Sequence, residues 1–317
     1  MAHNGLCGTD LHEYFDGPMA CTNEPHPLTG GRLPQIVGHE FAGTVAAVGS
    51  GVVGVAVGDR VAVEPLYFYR RCWACRAGLT QLCELVMTHG ICSHGGGLAE
   101  STVVPSWMLH PLPESMTLAQ GALVEPMSVS FSGVLRAGLE PGQSALVLGA
   151  GPIGIGVLLG LRAIDVRDVL VVETAPARRA AVETLGFEVI DPEVVDVATE
   201  VRRRTAGSGV DAVIDCAGAA ATFSIAPAVL RPRGRYVILA FGFIDVPFAP
   251  WLLARTEIEL TGSCGYNSDV FTRVIDLIAG GAYPTDAWVE HVGLDDVTAV
   301  LAELRAGQRM KVLVDVG

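Results

Sequence analysis

The chain has 317 residues, half of them apolar and 17% charged, with a formal net charge of -13. This length exceeds the size at which one hydrophobic core keeps growing, and about 75% of the unfolded surface becomes buried, so two domains are expected. The composition argues against disorder, and the acidic balance disfavours nucleic acid and anionic membrane, which both require a basic face; a small-molecule substrate is expected instead.

Chemistry begins close to the start of the sequence. Cys7-Gly8-Thr9-Asp10-Leu11-His12 offers a thiolate, a hydroxyl and an imidazole within one turn, and Gly38-His39-Glu40 offers an imidazole beside a carboxylate. A lone cysteine is ordinarily a small buried hydrophobe and a lone histidine a structural or solvated residue, so it is the grouping that points to a metal. Valine-rich runs broken by glycine, such as Phe41 to Gly49 and Gly58 to Val63, predict a β-rich, barrel-like domain up to about Pro126. Within it lies a cysteine lobe, Arg71 to Cys83, carrying Cys72, Cys75 and Cys83. Glu125 then sits in the apolar stretch Ala122 to Pro126, where an unpaired carboxylate is costly to bury and a cation would neutralise it.

Near Ser115 the texture changes to alternating strands and helices. Strands are expected at Ala145 to Leu148, Val169 to Glu173, Ala212 to Cys216 and Tyr236 to Ala240, with helices at Ile153 to Ile164 and Ala177 to Leu185. That alternation predicts an α/β architecture with a doubly wound parallel sheet. The first strand ends in Gly149-Ala150-Gly151-Pro152-Ile153-Gly154. Gly149 permits the tight turn, Gly151 lets backbone approach a pyrophosphate, and Gly154 lets the helix pack on the strand, with the phosphates at the helix N-terminus. A glycine fingerprint alone is weak evidence, because glycines mark ordinary turns. Here Glu173 ends the next strand about 20 residues on, where an acid accepts hydrogen bonds from the adenosine ribose and repels a 2′-phosphate, so NAD is expected over NADP. Arg178 and Arg179 stand close enough in sequence to moderate that preference.

A helix from about Val270 to Ala279 and a last strand, Lys311 to Val316, are expected to return to the first domain. The boundaries are then 1–126 with 268–317 for the β-rich domain and 127–267 for the cofactor domain. The eight cysteines, with no evident secretory leader or membrane span, point to reduced thiols and a cytoplasmic location.

Cys7-Gly8-Thr9-Asp10, Gly38 to Gly43, the cysteine lobe, Leu123-Val124-Glu125-Pro126 and the later glycine fingerprint occur in the order seen in zinc-dependent medium-chain dehydrogenases, and the resemblance spans essentially the whole chain. Leu6 to Tyr14, Asp16 to Pro18 and His26 to Gly30 resemble the 2,3-butanediol dehydrogenase branch, and glutamate at 125 is shared with butanediol, sorbitol and threonine dehydrogenases. The resemblance implies a Rossmann domain joined to a GroES-like catalytic domain. It implies a catalytic zinc held by Cys7, His39 and Glu125, with Glu40 beside it as an exchanging or supporting ligand. Thr9 would take the substrate proton, which reaches solvent by way of His12, while NAD takes the hydride. It further implies a homo-oligomer, dimer or tetramer, paired through the edge segment Glu257 to Tyr266.

Two departures stand out. Tyr69 occupies the place of the first of four structural zinc cysteines, so the lobe site is expected to be empty or weakly held. Cys7 also follows only six residues where the family has a few dozen, which suggests an exposed sheet edge or a misplaced start codon, with Ala2 to Gly5 as the end of a strand. The leading functional expectation is an NAD-dependent dehydrogenase of a secondary alcohol, a vicinal diol or its acyloin. Alternatives are a sorbitol or other polyol dehydrogenase, an L-threonine 3-dehydrogenase, a zinc-free quinone or enoyl reductase, and a truncated, non-catalytic nucleotide-binding protein.

Overall fold

The structure is a computed structural model that describes residues 1–241 and 244–317. Its contacts divide into two units, one comprising Met1–Ser128, Tyr266–Gly281 and Val289–Gly317, the other Val129–Gly265 and Ala282–Trp288. In the first unit the chain opens with β1 (His3–Gly5), β2 (Glu40–Thr44), β3 (Arg60–Val63), the short antiparallel pair β4 (Leu66–Tyr67) and β5 (Met87–Thr88), and β6 (Leu109–Pro111). The second unit contributes β7 (Ser144–Leu148), β8 (Asp168–Val172), β9 (Glu188–Ile190), β10 (Val210–Asp215), β11 (Leu230–Ile238) and β12 (Glu259–Gly262), and the chain ends in the first unit with β13 (Val289–Gly293) and β14 (Lys311–Asp315).

The first sheet runs β13-β14-β1-β2-β3-β6. β1 is three residues long yet lies inside it, antiparallel to β14 on one side and to β2 on the other. The short opening of the chain therefore supplies an internal strand, and β13 and β6 form the edges. One apolar cluster of this unit joins Leu6 to Val300, Leu301, Val312 and Val314, and another joins Phe41, Val63 and Met108.

The second sheet runs β12-β11-β10-β7-β8-β9 with every pairing parallel. Read from β9, this is the 3-2-1-4-5-6 order of a dinucleotide-binding fold. The central strands β7 and β8 read as continuous apolar runs because parallel strands are covered on both faces: all of Ser144–Leu148 is buried, as are Val169 to Val172. Helix Pro152–Ala163 buries every residue from Gly154 to Leu161, so the stretch that is apolar all round is a core helix. Among the described residues no helix is long and apolar enough to cross a membrane.

Candidate metal centre and nucleotide turn

The ladder registers at one end of the first sheet bring together residues far apart in sequence. Gly5 pairs with Glu40 on β2 and with Leu313 on β14. Cys7, two residues beyond Gly5, therefore emerges beside His39, one residue before Glu40, and beside Lys311, two residues before Leu313. Gly5 has no side chain for a geometric reason, since a Cβ there would collide with the Glu40 carboxylate. Gly38, at φ +102°, combines a left-handed backbone with tight packing against the Asn4 side chain.

Cys7, His39 and Glu40 each offer a ligand atom within 4.8 Å of the others, and His39 and Glu40 are buried. One residue orients two members of the set. Asp10, itself 1% exposed, accepts a hydrogen bond from the Cys7 backbone N–H through Oδ2 at 2.9 Å and places Oδ1 3.4 Å from His39 Nδ1. With Nδ1 turned to Asp10, Nε2 is left to face a ligand, the usual arrangement of a carboxylate behind a metal-binding imidazole. Burial lowers the His39 pKa, but the Asp10 carboxylate and the Cys7 sulfur outweigh it and hold the ring well above 6.5.

Glu125, expected as the third ligand, is buried close by but is not among the mutually close ligand atoms. Its Oε1 accepts a hydrogen bond from the Tyr266 hydroxyl at 2.9 Å. Burial pushes its carboxyl up to about 7, against the opposing pull of the His39 charge, with the neighbouring Glu40 adding to the rise. Lys311 pairs with Glu40 at full burial and donates to the Leu6 carbonyl at 3.0 Å. A sulfur, an imidazole and one carboxylate in mutual reach, with a second buried carboxylate nearby, form a donor set suited to zinc. These residues therefore fit the metal that the resemblance implies. Thr9 lies in the same turn, its hydroxyl 3.8 Å from Cys7 Sγ, and His12 follows one turn later on helix Gly8–Phe15, exposed and 2.9 Å from Asp16.

Sequence reasoning assigned no role to Asp10, Lys311 or Tyr266. Lys311 carried a signal, being the sole lysine of the chain and set in an apolar strand. Tyr266, expected with the edge segment of the cofactor domain, instead begins a segment of the first unit.

The lobe sulfurs of Cys72, Cys75 and Cys83 also lie within 4.8 Å of one another. Backbone N–H groups of Cys75 and Leu85 approach Cys72 and Cys83 sulfurs at 3.4 Å. The Cys75 N–H in particular lowers the Cys72 thiol to about 7, whereas burial raises Cys75 to about 11. Tyr69 donates its hydroxyl to Glu84 at 3.0 Å. The three sulfurs fit zinc, and Tyr69 adds no fourth sulfur.

In the second unit, the strand-turn-helix runs from β7 through the glycine turn to helix Pro152–Ala163, with Gly151 as its N-cap and Pro152 and Ile153 in its first turn. Gly149 has φ +89°, and a Cβ on Gly154 would strike the Gly149 carbonyl, so both positions require glycine. Glu173 is buried and accepts from the Ala150 N–H at 2.7 Å and the Ala175 N–H at 2.8 Å, locking the turn to the end of β8. Arg178 Nη1 lies 3.9 Å from Glu173 and faces Gly151. Arg179 is committed elsewhere, to Asp191 at 2.7 Å and to the backbone carbonyls of Glu173 and Thr174.

Residues 1–114 match the Alcohol dehydrogenase GroES-like domain, and residues 152–280 match the Zinc-binding dehydrogenase family. The chain belongs to the zinc-dependent alcohol dehydrogenases, enzymes built from a GroES-like domain and a Rossmann domain. It is 36% identical over 296 residues to the (R,R)-butanediol dehydrogenase of Bacillus subtilis (strain 168), covering 92% of this chain and 84% of that protein. A 2-dehydro-3-deoxy-L-galactonate 5-dehydrogenase of Pseudoalteromonas atlantica is 34% identical over 315 residues, covering 98% of this chain and 89% of that protein. The crystal structure of 2R,3R-butanediol dehydrogenase from Bacillus subtilis superposes with a TM-score of 0.93 at 34% identity, over 99% of this chain and 90% of that one.

Proposed function

We propose that this chain oxidises a vicinal diol of the 2,3-butanediol type to its acyloin, or runs the reverse reduction, with NAD as the redox partner. The observation that carries the reading is the convergence of half-buried Cys7 with buried His39 and Glu40, and of Glu125 buried nearby. It is supported by the butanediol dehydrogenases among the relatives. Cys7, His39 and the acids Glu125 and Glu40 form the donor set for the catalytic zinc. Bound there, the metal supplies a Lewis acid that polarises the substrate oxygen and acidifies its hydroxyl. Bound at the glycine turn, NAD supplies the hydride acceptor.

The rest of the chemistry belongs to the chain's own side chains. Thr9 relays the substrate proton toward His12, which, solvent-exposed one turn further along the same helix, passes it to solvent. Asp10 holds the His39 ring and the Cys7 backbone in place. Backbone N–H groups at the start of helix Pro152–Ala163 receive the pyrophosphate, and Glu173 with Arg178 lies where the adenosine ribose is selected. The first unit serves as the catalytic domain and the second as the cofactor domain, so the boundaries expected at 126/127 and 267/268 shift to Ser128 and Tyr266, and Ala282–Trp288 goes with the cofactor domain. β12, at the outer edge of its sheet, offers a pairing edge for a dimer or tetramer. Eight unpaired thiols suit a reducing, cytoplasmic setting.

A panel of 2,3-butanediol, acetoin, sorbitol, L-threonine and ethanol, followed through NADH absorbance, tests this assignment. The highest kcat/KM is expected for the diol and acetoin pair with NAD. A second reading, a sugar-acid or polyol dehydrogenase, draws on the galactonate-derivative dehydrogenase among the relatives, and sorbitol as the best substrate would favour it. Preference for ethanol, or for NADP over NAD, would count against both.

A further inference from the structure

A second group of ligating side chains lies on the sheet of the first unit, made from residues that the Cys7 pocket does not use. His3 is on β1, Asp315 on β14 and His291 on β13, three neighbouring strands. The antiparallel register sets His3 opposite Asp315, and the parallel register sets Gly293 opposite Asp315. His291, two residues before Gly293, projects from the same face because side chains alternate along a strand. The pleat thus aims all three at one spot.

The distances show that they meet there. His3 Nδ1 and His291 Nδ1 each lie 2.8 Å from the same oxygen, Asp315 Oδ1. The two rings stand edge to face, with centroids 5.6 Å apart. The ligand atoms of the trio fall within 4.8 Å of one another, and the side chains are 24%, 44% and 50% exposed for His3, His291 and Asp315. Ligands at about 2.0–2.2 Å from a tetrahedral zinc ion stand about 3–4 Å from one another, so small rotations of these side chains admit an ion in place of the direct contacts. Two imidazole nitrogens and one carboxylate oxygen suit a divalent transition metal, whereas calcium and magnesium prefer all-oxygen shells.

We propose that His3, His291 and Asp315 form a solvent-accessible zinc site that ties β1 to β13 and β14. Its consequence is structural: one ion spans the strand that opens the chain and the two that close the sheet, and it stabilises the folded state by binding it in preference to the unfolded chain. The site is independent of the catalytic reading.

The test titrates Zn2+ into the purified holoenzyme, already carrying its own metal, as wild type, His291→Asn and Asp315→Asn. Bound zinc is counted after equilibrium dialysis, and thermal melts are recorded at each free-zinc level. Wild type is expected to take up one more equivalent per chain than either variant at low micromolar free zinc. Its melting temperature should rise with zinc while those of the variants stay level, and turnover without added zinc should be the same in all three. The double variant His3→Asn/His291→Asn should repeat the loss of one equivalent. Equal uptake by wild type and variants overturns the site, and an extra equivalent without a rise in melting temperature overturns the strand-pinning role.

Discussion

The Cys7 pocket and the cysteine lobe both gather sulfur within metal-binding distance, yet the chain surrounds them very differently. Around Cys7 the donors come from a helix start, from the entry to β2 and from helix Val124–Ala137, and three of them have a dedicated neighbour: Asp10 behind His39, Lys311 on Glu40 and Tyr266 on Glu125. In the lobe, three cysteines from one short stretch rest on backbone N–H groups and a small apolar cluster of Phe68, Tyr69, Leu79 and Leu85. A site whose supporting contacts are themselves buried and charged holds its geometry against solvent, whereas a local knot of thiols depends on how many sulfurs it contains. The contrast assigns chemistry to the first and, at most, scaffolding to the second.

The largest effect that can break this contrast is expected from Cys7→Ser. Taking the Lewis acid's share of the barrier as about 4 kcal/mol, kcat/KM for the diol falls about 10³-fold and one zinc per chain is lost on dialysis. Retained activity would remove Cys7 from the chemistry. Lys311→Met comes next, as a stability effect. It strands the Glu40 carboxylate at full burial, which costs about 3–5 kcal/mol in urea unfolding, and Glu40→Gln in the same chain should recover most of the loss. Asp10→Asn keeps the size of the side chain but removes its charge from the His39 ring. Zinc affinity measured against a competing chelator should fall about 10–100-fold with little change in melting temperature. An unchanged affinity would reduce Asp10 to an ordinary helix-start acid bonded to the Cys7 N–H.

The metal centre and the nucleotide turn were unequally legible in the sequence. The nucleotide turn is local: strand, glycines, helix and Glu173 fall within one stretch, and steric necessity at Gly149 and Gly154 writes itself into residue type. The parallel strands β7 and β8 were readable because burial on both faces makes them almost wholly apolar, whereas β9, three residues long and led by an exposed Glu188, was not expected. The metal pocket is non-local. Cys7, His39 and Glu40 could be named from their motifs, but the β1–β2 and β1–β14 registers that bring Lys311 beside them have no local signature. Glu125 shows the same limit, since its apolar setting announced a burial problem, while the partner seen in the structure, the Tyr266 hydroxyl, lies 141 residues away. The opening strand was legible only as a fragment, and its place inside the sheet depends on β14 arriving from the far end of the chain.

Smaller effects sharpen the other side of the contrast. Tyr69→Cys places a fourth sulfur where the lobe has a phenol turned to Glu84, and the variant should retain a lobe zinc through chelator dialysis that strips it from wild type, with little change in kcat. If wild type holds that zinc as firmly, another group completes the site and the lobe ranks with the Cys7 pocket as a metal centre.

The smallest effect concerns proton binding rather than turnover. In metal-free protein the Cys75 N–H holds the Cys72 thiol down at about 7, while burial drives Cys75 up to about 11. A lowered pKa means that thiolate accumulates as pH rises through 7, so about half of Cys72 is ionised at neutral pH against about one part in a hundred for a thiol left at 9. Thiolate absorbance near 240 nm in metal-free protein should therefore climb between pH 6 and 8, a step that Cys72→Ser removes and Cys75→Ser keeps. Comparing the two variants separates the sites, and added zinc should move the step to lower pH where the lobe binds it, because metal binding displaces the thiol proton. Absorbance that rises only near pH 9 in wild type and both variants would mean that the backbone N–H does not tune the lobe, leaving three packed thiols of ordinary acidity.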